Sequence, residues 1–319
     1  MVHFRFQPAA VPPVGYAWFG AMHTRFDLVM VGPGEAIQRE ITQQVYDRVK
    51  KLDGQLNRFS AGSEVANVNA KAALEDVHIS NDLYYLLEYA QQAFEKTGGL
   101  FDITIQSRKQ KEGTGSLFEK HSSTEACAAS YPGRKQSCIP PAQGILSDTK
   151  IPLNPRAIVL QRDPLRVRFL HPQLQIDLGG LAKGYAVDQI RQLLEDARVE
   201  HYLISFGNSS IAAKGDQPGK KPTVDALKSA PDLSELQSPE SKNAGLSSRV
   251  GWKIALQNGS AAYQLIDECL TVSGNDTQPG GHIIDPRTGK LVQATSAAVK
   301  TNTAIEGEAL STTHFITHP

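Results

Sequence analysis

Ile176-Asp177-Leu178-Gly179-Gly180-Leu181-Ala182-Lys183-Gly184-Tyr185-Ala186-Val187-Asp188 carries a short apolar strand into a double glycine and straight on into an amphipathic helix. Glycines at such a junction let a ligand approach the backbone closely. The free N–H groups of the helix start then face an anion. Lys183 adds a positive charge there, and Asp177 adds an acceptor at the strand end. The set suits a nucleotide with both a phosphate and a polar ring edge. It is neither a Walker loop, which needs a wider glycine spacing and a terminal Lys-Ser/Thr, nor the dinucleotide fingerprint, which needs a third glycine in the helix turn.

Outward from that junction, Phe26 to Val31 reads as a strand. Glu35 to Leu52 reads as a helix with Ile37, Ile41, Val45, Val49 and Leu52 on one face. Ser80 is an N-cap for another helix, with Leu83, Leu87, Ala90 and Phe94 as its buried stripe and Gly98-Gly99 as its stop. Arg166 to Leu170 and Leu174 to Leu178 suggest a hairpin around His171-Pro172. The central helix is expected from Leu181 to Ala197, with Leu181, Tyr185, Ile190, Leu194 and Ala197 inward. Tyr202 to Phe206, Trp252 to Leu256, Tyr263 to Val272 and Val292 to Lys300 read as strands. Thr303 and Glu306 suggest a capping box for a last helix. There is no internal repeat and no regular βαβ alternation, so the expected class is α+β. The chain is read as one domain, 1–319, with surface inserts at about 107–150 and 216–248, both rich in Ser, Lys and Pro.

Bulk properties narrow the function. Lys plus Arg number 33 and Asp plus Glu number 33, so a balanced chain of 319 residues gives no electrostatic case for nucleic acid. No apolar run reaches the length of a membrane span. Met1 to Pro13 lacks a basic segment followed by an apolar one, so the expected location is cytoplasmic; a leader removed ahead of this sequence would make it periplasmic. Cys127, Cys138 and Cys269 form no Cys-x-x-Cys pair. Cys127 and Cys138 with His121 fit no zinc spacing and read as free thiols in a loop.

Two groups of residues carry chemistry. Glu308, Ser311 and Thr312 fall at i, i+3 and i+4 and share a helix face. A carboxylate with hydroxyls offers hard oxygen ligands suited to magnesium with phosphates completing the shell. Spacing alone leaves a solvated helix face as the plainer alternative. His282 titrates near neutrality and could accept a proton from a hydroxyl; alternatively it caps a strand before the Asp285-Pro286 turn.

The central motif resembles that of the ApbE family, the FAD:protein FMN transferases. Further blocks match in the same order. Ala21-Met22-His23-Thr24 is similar to the family's Met-Gly-Thr, with His for Gly. Arg58-Phe59-Ser60 through Ser63-Glu64-Val65 to Asn69 follows its Phe-Ser…Ser-Glu pattern, with Ala61-Gly62 where many members place a Tyr. Gly98-Gly99-Leu100-Phe101-Asp102, Leu203-Ile204-Ser205-Phe206-Gly207 and Ser273-Gly274 come next. His282-Ile283-Ile284-Asp285-Pro286-Arg287-Thr288-Gly289 follows, and Glu306-Gly307-Glu308-Ala309-Leu310-Ser311-Thr312 resembles Glu-Ala-Asp-Ala-Leu-Ser-Thr. Asn208-Ser209 stands where the family has a second glycine and an acid.

The resemblance implies mixed and antiparallel sheets with packed helices, in two lobes around a flavin-nucleotide cleft. It implies that Gly180 (through its carbonyl), Glu308 and Thr312, with Ser311 nearby, hold Mg2+. Glu308 replaces an Asp and is one methylene longer. The resemblance also implies that His282 is the base, that Met22 packs on the flavin ring, and that Leu100, Phe101 and Asp102 contact the adenosine. Asp177, Lys183 and the backbone of Ile284 would complete the FAD contacts. The implied reaction is Mg-dependent transfer of FMN from FAD to a Ser/Thr hydroxyl in the flavinylation motif of an acceptor flavoprotein, releasing AMP. The alternatives are an FAD pyrophosphatase that releases FMN and AMP, and a non-catalytic FAD-binding protein.

Overall fold

The computed structural model describes residues 1–105, 152–218, 250–255, 262–274 and 282–318. Both expected inserts lie almost wholly outside the described residues. The described chain forms β1 (His3–Gln7), β2 (Val14–Ala21), β3 (Thr24–Val31), α1 (Glu35–Leu56), α2 (Glu64–Lys71), β4 (Val77–His78) and α3 (Asn81–Lys96). Then come β5 (Ile158–Arg162), β6 (Leu165–Phe169), α4 (Ala182–Asp196), β7 (His201–Phe206), β8 (Ser210–Lys214) and β9 (Trp252–Ala255). β10 (Ala262–Leu265), β11 (Glu268–Gly274), β12 (Ser296–Thr301) and α5 (Ala304–Thr317) complete it.

A seven-stranded sheet in the order β1-β2-β3-β7-β8-β11-β12 organises the molecule. Every neighbouring pair in it is antiparallel, as an α+β fold without βαβ units requires. Side chains alternate by face. Ala17, Phe19, Phe26, Leu28, Met30, Tyr202, Ile204 and Phe206 join the main core beneath the helices. Val14, Tyr16, Val29, Leu203, Ile211 and Ala213 form a second cluster on the other face with Trp252, Ile254 and Leu265 of the β9–β10 hairpin. A smaller sheet, β4-β6-β5, packs with α3, and its Val77, Ile158 and Val167 belong to the same main core as Phe26 and Leu28.

Several local expectations are corrected. α1 buries Ile41, Val45, Val49 and Leu52 as expected, but Ile37 is exposed and Gln38 takes its place, donating to the Pro33 carbonyl at 2.7 Å. α3 is as expected: the Ser80 hydroxyl accepts from the Leu83 N–H, and past the Thr97 C-cap Gly98 and Gly99, with φ of 62° and 85°, donate to the Glu95 and Phe94 carbonyls. The hairpin partner of β6 is β5, turning at Asp163-Pro164, not Leu174 to Leu178. That later segment has no strand partner because Asn69 serves it instead: its side chain donates to the Ile176 carbonyl at 3.0 Å and accepts from the Ile176 N–H at 2.8 Å. The stretch from Tyr263 to Val272 is two strands, broken at Ile266-Asp267 where Asp267 has φ of 55°. β12 starts at Ser296 rather than Val292. Ala197 is exposed past the end of α4. α2 is a further helix, which Ser63 caps by accepting from the Ala66 N–H.

The start of α5 is capped from another helix. Thr303 is the N-cap residue of α5 but its side chain makes no capping bond. Asp188 of α4 does so instead, accepting from the Ala304 N–H at 2.8 Å and the Ile305 N–H at 2.9 Å. Burial raises the Asp188 pKa, while those two donors and the Arg191 guanidinium oppose the shift. The central helix therefore sets the start of the last helix. Their close approach needs Gly184, where an added Cβ would stand 2.6 Å from Glu308 Cγ and 2.7 Å from the Ala304 carbonyl.

Candidate active site

Four elements converge around Glu308: α5, which carries it, the first turn of α4, the start of β8 and the end of β11. Glu308 is 5% exposed, not on a solvated face. Its Oε1 accepts from the Gly184 N–H at 3.0 Å and from Ser210 Oγ at 2.6 Å. Among the described residues no donor engages Oε2. Ser311 is fully buried, and its hydroxyl lies 2.8 Å from Ser273 Oγ, which lies 3.3 Å from Thr312 Oγ1. Oε2 is not among the buried atoms left without a partner, so it faces the open side of the site, where a cation can reach it. One carboxylate oxygen beside a cluster of hydroxyls is the donor chemistry that magnesium prefers. The residues present therefore fit such an ion.

The double-glycine loop sits at the α4 N-terminus, where helix N–H groups are open to an anion. Asp177 Oδ1 accepts from the Gly179 N–H at 2.9 Å, and Arg58 Nε lies 3.6 Å from Asp177 Oδ2. Phe101 is buried, and its ring would be 3.7 Å from a Cβ added at Gly180, so the ring lies beside that loop. Leu100 packs with Ile283, Val292 and Phe315, which ties the Gly98–Asp102 segment to the His282 segment. Asp102 Oδ1 is committed to Thr104, accepting from its N–H at 2.8 Å and its hydroxyl at 2.6 Å.

Residues from Ile283 to Val292 fold back on themselves. The Val292 N–H donates to the Ile283 carbonyl at 2.9 Å, and the Asp285 N–H donates to the Lys290 carbonyl at 2.9 Å. Ile284 and Leu291 thus form a non-hydrogen-bonded pair, and the N–H and C=O of Ile284 point away from the Leu291 side. Asp285 is the turn former that its sequence suggests. Its carboxylate accepts from the Arg287 N–H at 2.8 Å and pairs with the guanidinium, which holds its pKa below the usual carboxylate range. His282 is exposed on one side, yet surrounding protein desolvates its ring and lowers its pKa, and the Lys183 ammonium lowers it further. The two residues, distant in sequence, therefore feel each other's charge.

Met22 and His23 occupy the two central positions of the β2–β3 hairpin, with φ of 46° and 59°. Positive φ at both positions defines the tight turn that normally selects Asn-Gly. Met22 is thus in a strained turn rather than inside a core strand, half-buried against the main cluster. The Gly207-Asn208 turn abuts this hairpin, since Gly207 N–H donates to the Arg25 carbonyl at 2.8 Å.

The sequence profile described as the ApbE family matches residues 22–319. This chain belongs to the ApbE family. The FAD:protein FMN transferase of Haemophilus influenzae is 24% identical over 290 residues, 88% of this chain and 70% of that protein. The FAD:protein FMN transferase of Buchnera aphidicola is 26% identical over 176 residues, 55% of this chain, and the match spans only 46% of that protein. Among solved structures, the ApbE protein of Thermotoga maritima superposes with a TM-score of 0.65 at 19% identity, over 98% of this chain and 87% of that one. The flavin transferase ApbE of Vibrio cholerae superposes with a TM-score of 0.63 at 17% identity, over 99% and 87% of the two chains.

In this ApbE chain the geometry gives places in the site to residues to which the sequence assigns no role. Phe59 is 75% exposed, its ring under the Arg58 guanidinium at 4.6 Å, and Arg58 is the residue that pairs with Asp177. A cavity of about 290 Å³ opens beside them, lined by Arg58, Phe59, Ala66, Asn69, Ala70 and Gln175. An aromatic residue in an otherwise polar loop was the available signal. Ser210 had none and Ser273 only its place in the Ser273-Gly274 block, because their contacts depend on strands far apart in the chain. No helix among the described residues is long and apolar enough to cross a membrane.

Proposed function

We propose that this protein transfers FMN from FAD to a Ser or Thr hydroxyl of an acceptor flavoprotein, with AMP as the leaving product and Mg2+ as the required ion. The observation that carries this reading is the buried Glu308, pinned at one oxygen and without a donor at the other, beside the anion-receptive start of α4. Glu308, Ser311 and Thr312, with the carbonyl of Gly180, would hold the ion. Its chemistry would be to neutralise pyrophosphate oxygens as charge develops on them. Lys183 and the α4 N–H groups bind the same pyrophosphate. Phe101 flanks the double-glycine loop toward the adenosine, and Asp177 accepts from the flavin nucleotide. Met22 lies against one face of the flavin ring, and Phe59, stacked under the Arg58 that pairs with Asp177, supplies the aromatic surface for the other.

The chemistry is an in-line displacement at phosphorus. The acceptor hydroxyl oxygen forms the new P–O bond to the FMN phosphoryl group, the pyrophosphate P–O bond breaks, and AMP departs with the bridging oxygen. The hydroxyl proton passes to His282. A lowered pKa keeps His282 neutral near pH 7, the state a base must be in.

Chromatography of FAD turnover products, with and without an acceptor subunit, tests the proposal. AMP should appear only when the acceptor is present, without free FMN. Equal amounts of free FMN and AMP without acceptor would establish a pyrophosphatase instead. Bound FAD with no product, across several acceptors, would leave a binding protein.

A further inference from the structure

Ser210 opens β8 directly after the Gly207-Asn208-Ser209 turn, opposite Phe206 on β7 and Thr271 on β11. Its side chain is fully buried, and its hydroxyl donates to Glu308 Oε1 at 2.6 Å. The same oxygen accepts from the Gly184 N–H at 3.0 Å. Two donors, one from a strand and one from a helix start, thus fix one oxygen of a carboxylate on a third element. A Glu side chain has one more rotatable bond than an Asp, so without such a clamp its head would wander and spoil a geometry that magnesium demands to be close to ideal.

We propose that Ser210 is a positioning residue. With the Gly184 N–H it clamps Oε1 of Glu308 and so aims Oε2 at a divalent cation. This rests on the reading of Glu308 as a metal ligand. Removal of a partner that orients a ligand typically weakens metal affinity by about 10–100-fold. The clamp also explains how the longer acid is accommodated here: the short Ser210 side chain and the absence of a Cβ at Gly184 leave room for the extra methylene.

The test is an Mn2+ titration of the whole protein followed by electron paramagnetic resonance, with thermal unfolding measured in the absence of metal. Ser210→Ala should unfold within a few degrees of the parent yet bind Mn2+ at least tenfold more weakly. Ser210→Cys keeps a weak donor of nearly the same size and should fall between the two. The rise in unfolding temperature produced by saturating Mn2+ in the parent should shrink in the same order. Glu308→Gln distinguishes loss of the clamp from absence of the metal site. If Glu308→Gln loses Mn2+ while both Ser210 variants bind within twofold of the parent, the clamp is wrong and the metal reading stands. If Glu308→Gln also binds like the parent, the metal reading fails and takes the clamp with it.

Discussion

Asp188 offers the sharpest test of how this fold holds its site. It belongs to α4, yet it caps α5, the helix that carries Glu308. Asp188→Ala removes two carboxylate bonds to N–H groups, at 2.8 and 2.9 Å, and strips Arg191 of a partner at 3.4 Å. Loss of an N-cap costs ~1 kcal/mol, and hydrogen bonds to charged groups are worth about 1.5–3 kcal/mol each. At about 1.5–3 kcal/mol each the two bonds give ~3–6 kcal/mol, and relief of the buried carboxylate's desolvation brings the expected loss toward the lower end, about 3 kcal/mol. Urea unfolding, with the slope unchanged, should report it as a lower midpoint. Thr303→Ala is the control. Thr303 holds the N-cap position but makes no side-chain capping bond, so its loss should cost under about 0.5 kcal/mol. Equal costs for the two variants, or a loss below ~1 kcal/mol for Asp188→Ala, would refute the reasoning and restore the capping box suggested by Thr303 and Glu306.

Three further outcomes follow from the geometry. His282 has a pKa below its ordinary 6.5, so kcat/KM should fall on the acid side only below that pH; Lys183→Met removes one of the two causes and should move the limb upward, whereas a limb above pH 6.5 would contradict the assignment. Because a depressed His also favours the folded state only while neutral, its contribution to stability is present above 6.5 and lost as pH falls through the lowered value. Asn69→Ala deletes both bonds to Ile176, and should cost about 2 kcal/mol in urea unfolding and weaken FAD binding measured by fluorescence quenching, since Ile176 leads into Asp177. Phe59→Ala, at an exposed position, should leave stability within about 0.5 kcal/mol of the parent but weaken FAD about tenfold; unchanged affinity would remove Phe59 from the flavin site.

Legibility in the sequence followed the range of the interactions. The 3.6-residue stripe of α1, the Ser80 cap and the apolar run of β3 from Phe26 to Val31 are local, and each is readable in the sequence. The failures share one cause. Leu174 to Leu178 has strand-like residues, but its Ile176 N–H and C=O are taken by an Asn side chain 107 residues earlier. Thr303 and Glu306 satisfy a local capping pattern, but a carboxylate 116 residues away occupies the position first. The position of Glu308 in the site was legible only through the resemblance, because spacing alone allowed a solvated face. Its burial, its clamp by Ser210 and the nearness of Lys183 to His282 emerge only from the assembled sheet and helices.

The most direct test of the central claim is the intact mass of an acceptor flavoprotein subunit after incubation with FAD, Mg2+ and this protein. The account predicts an addition of one FMN phosphoryl unit on a Ser or Thr, lost when Glu308→Ala replaces the parent and slowed by His282→Ala. An acceptor modified equally well by Glu308→Ala, or never modified while FMN and AMP accumulate in solution, would contradict it.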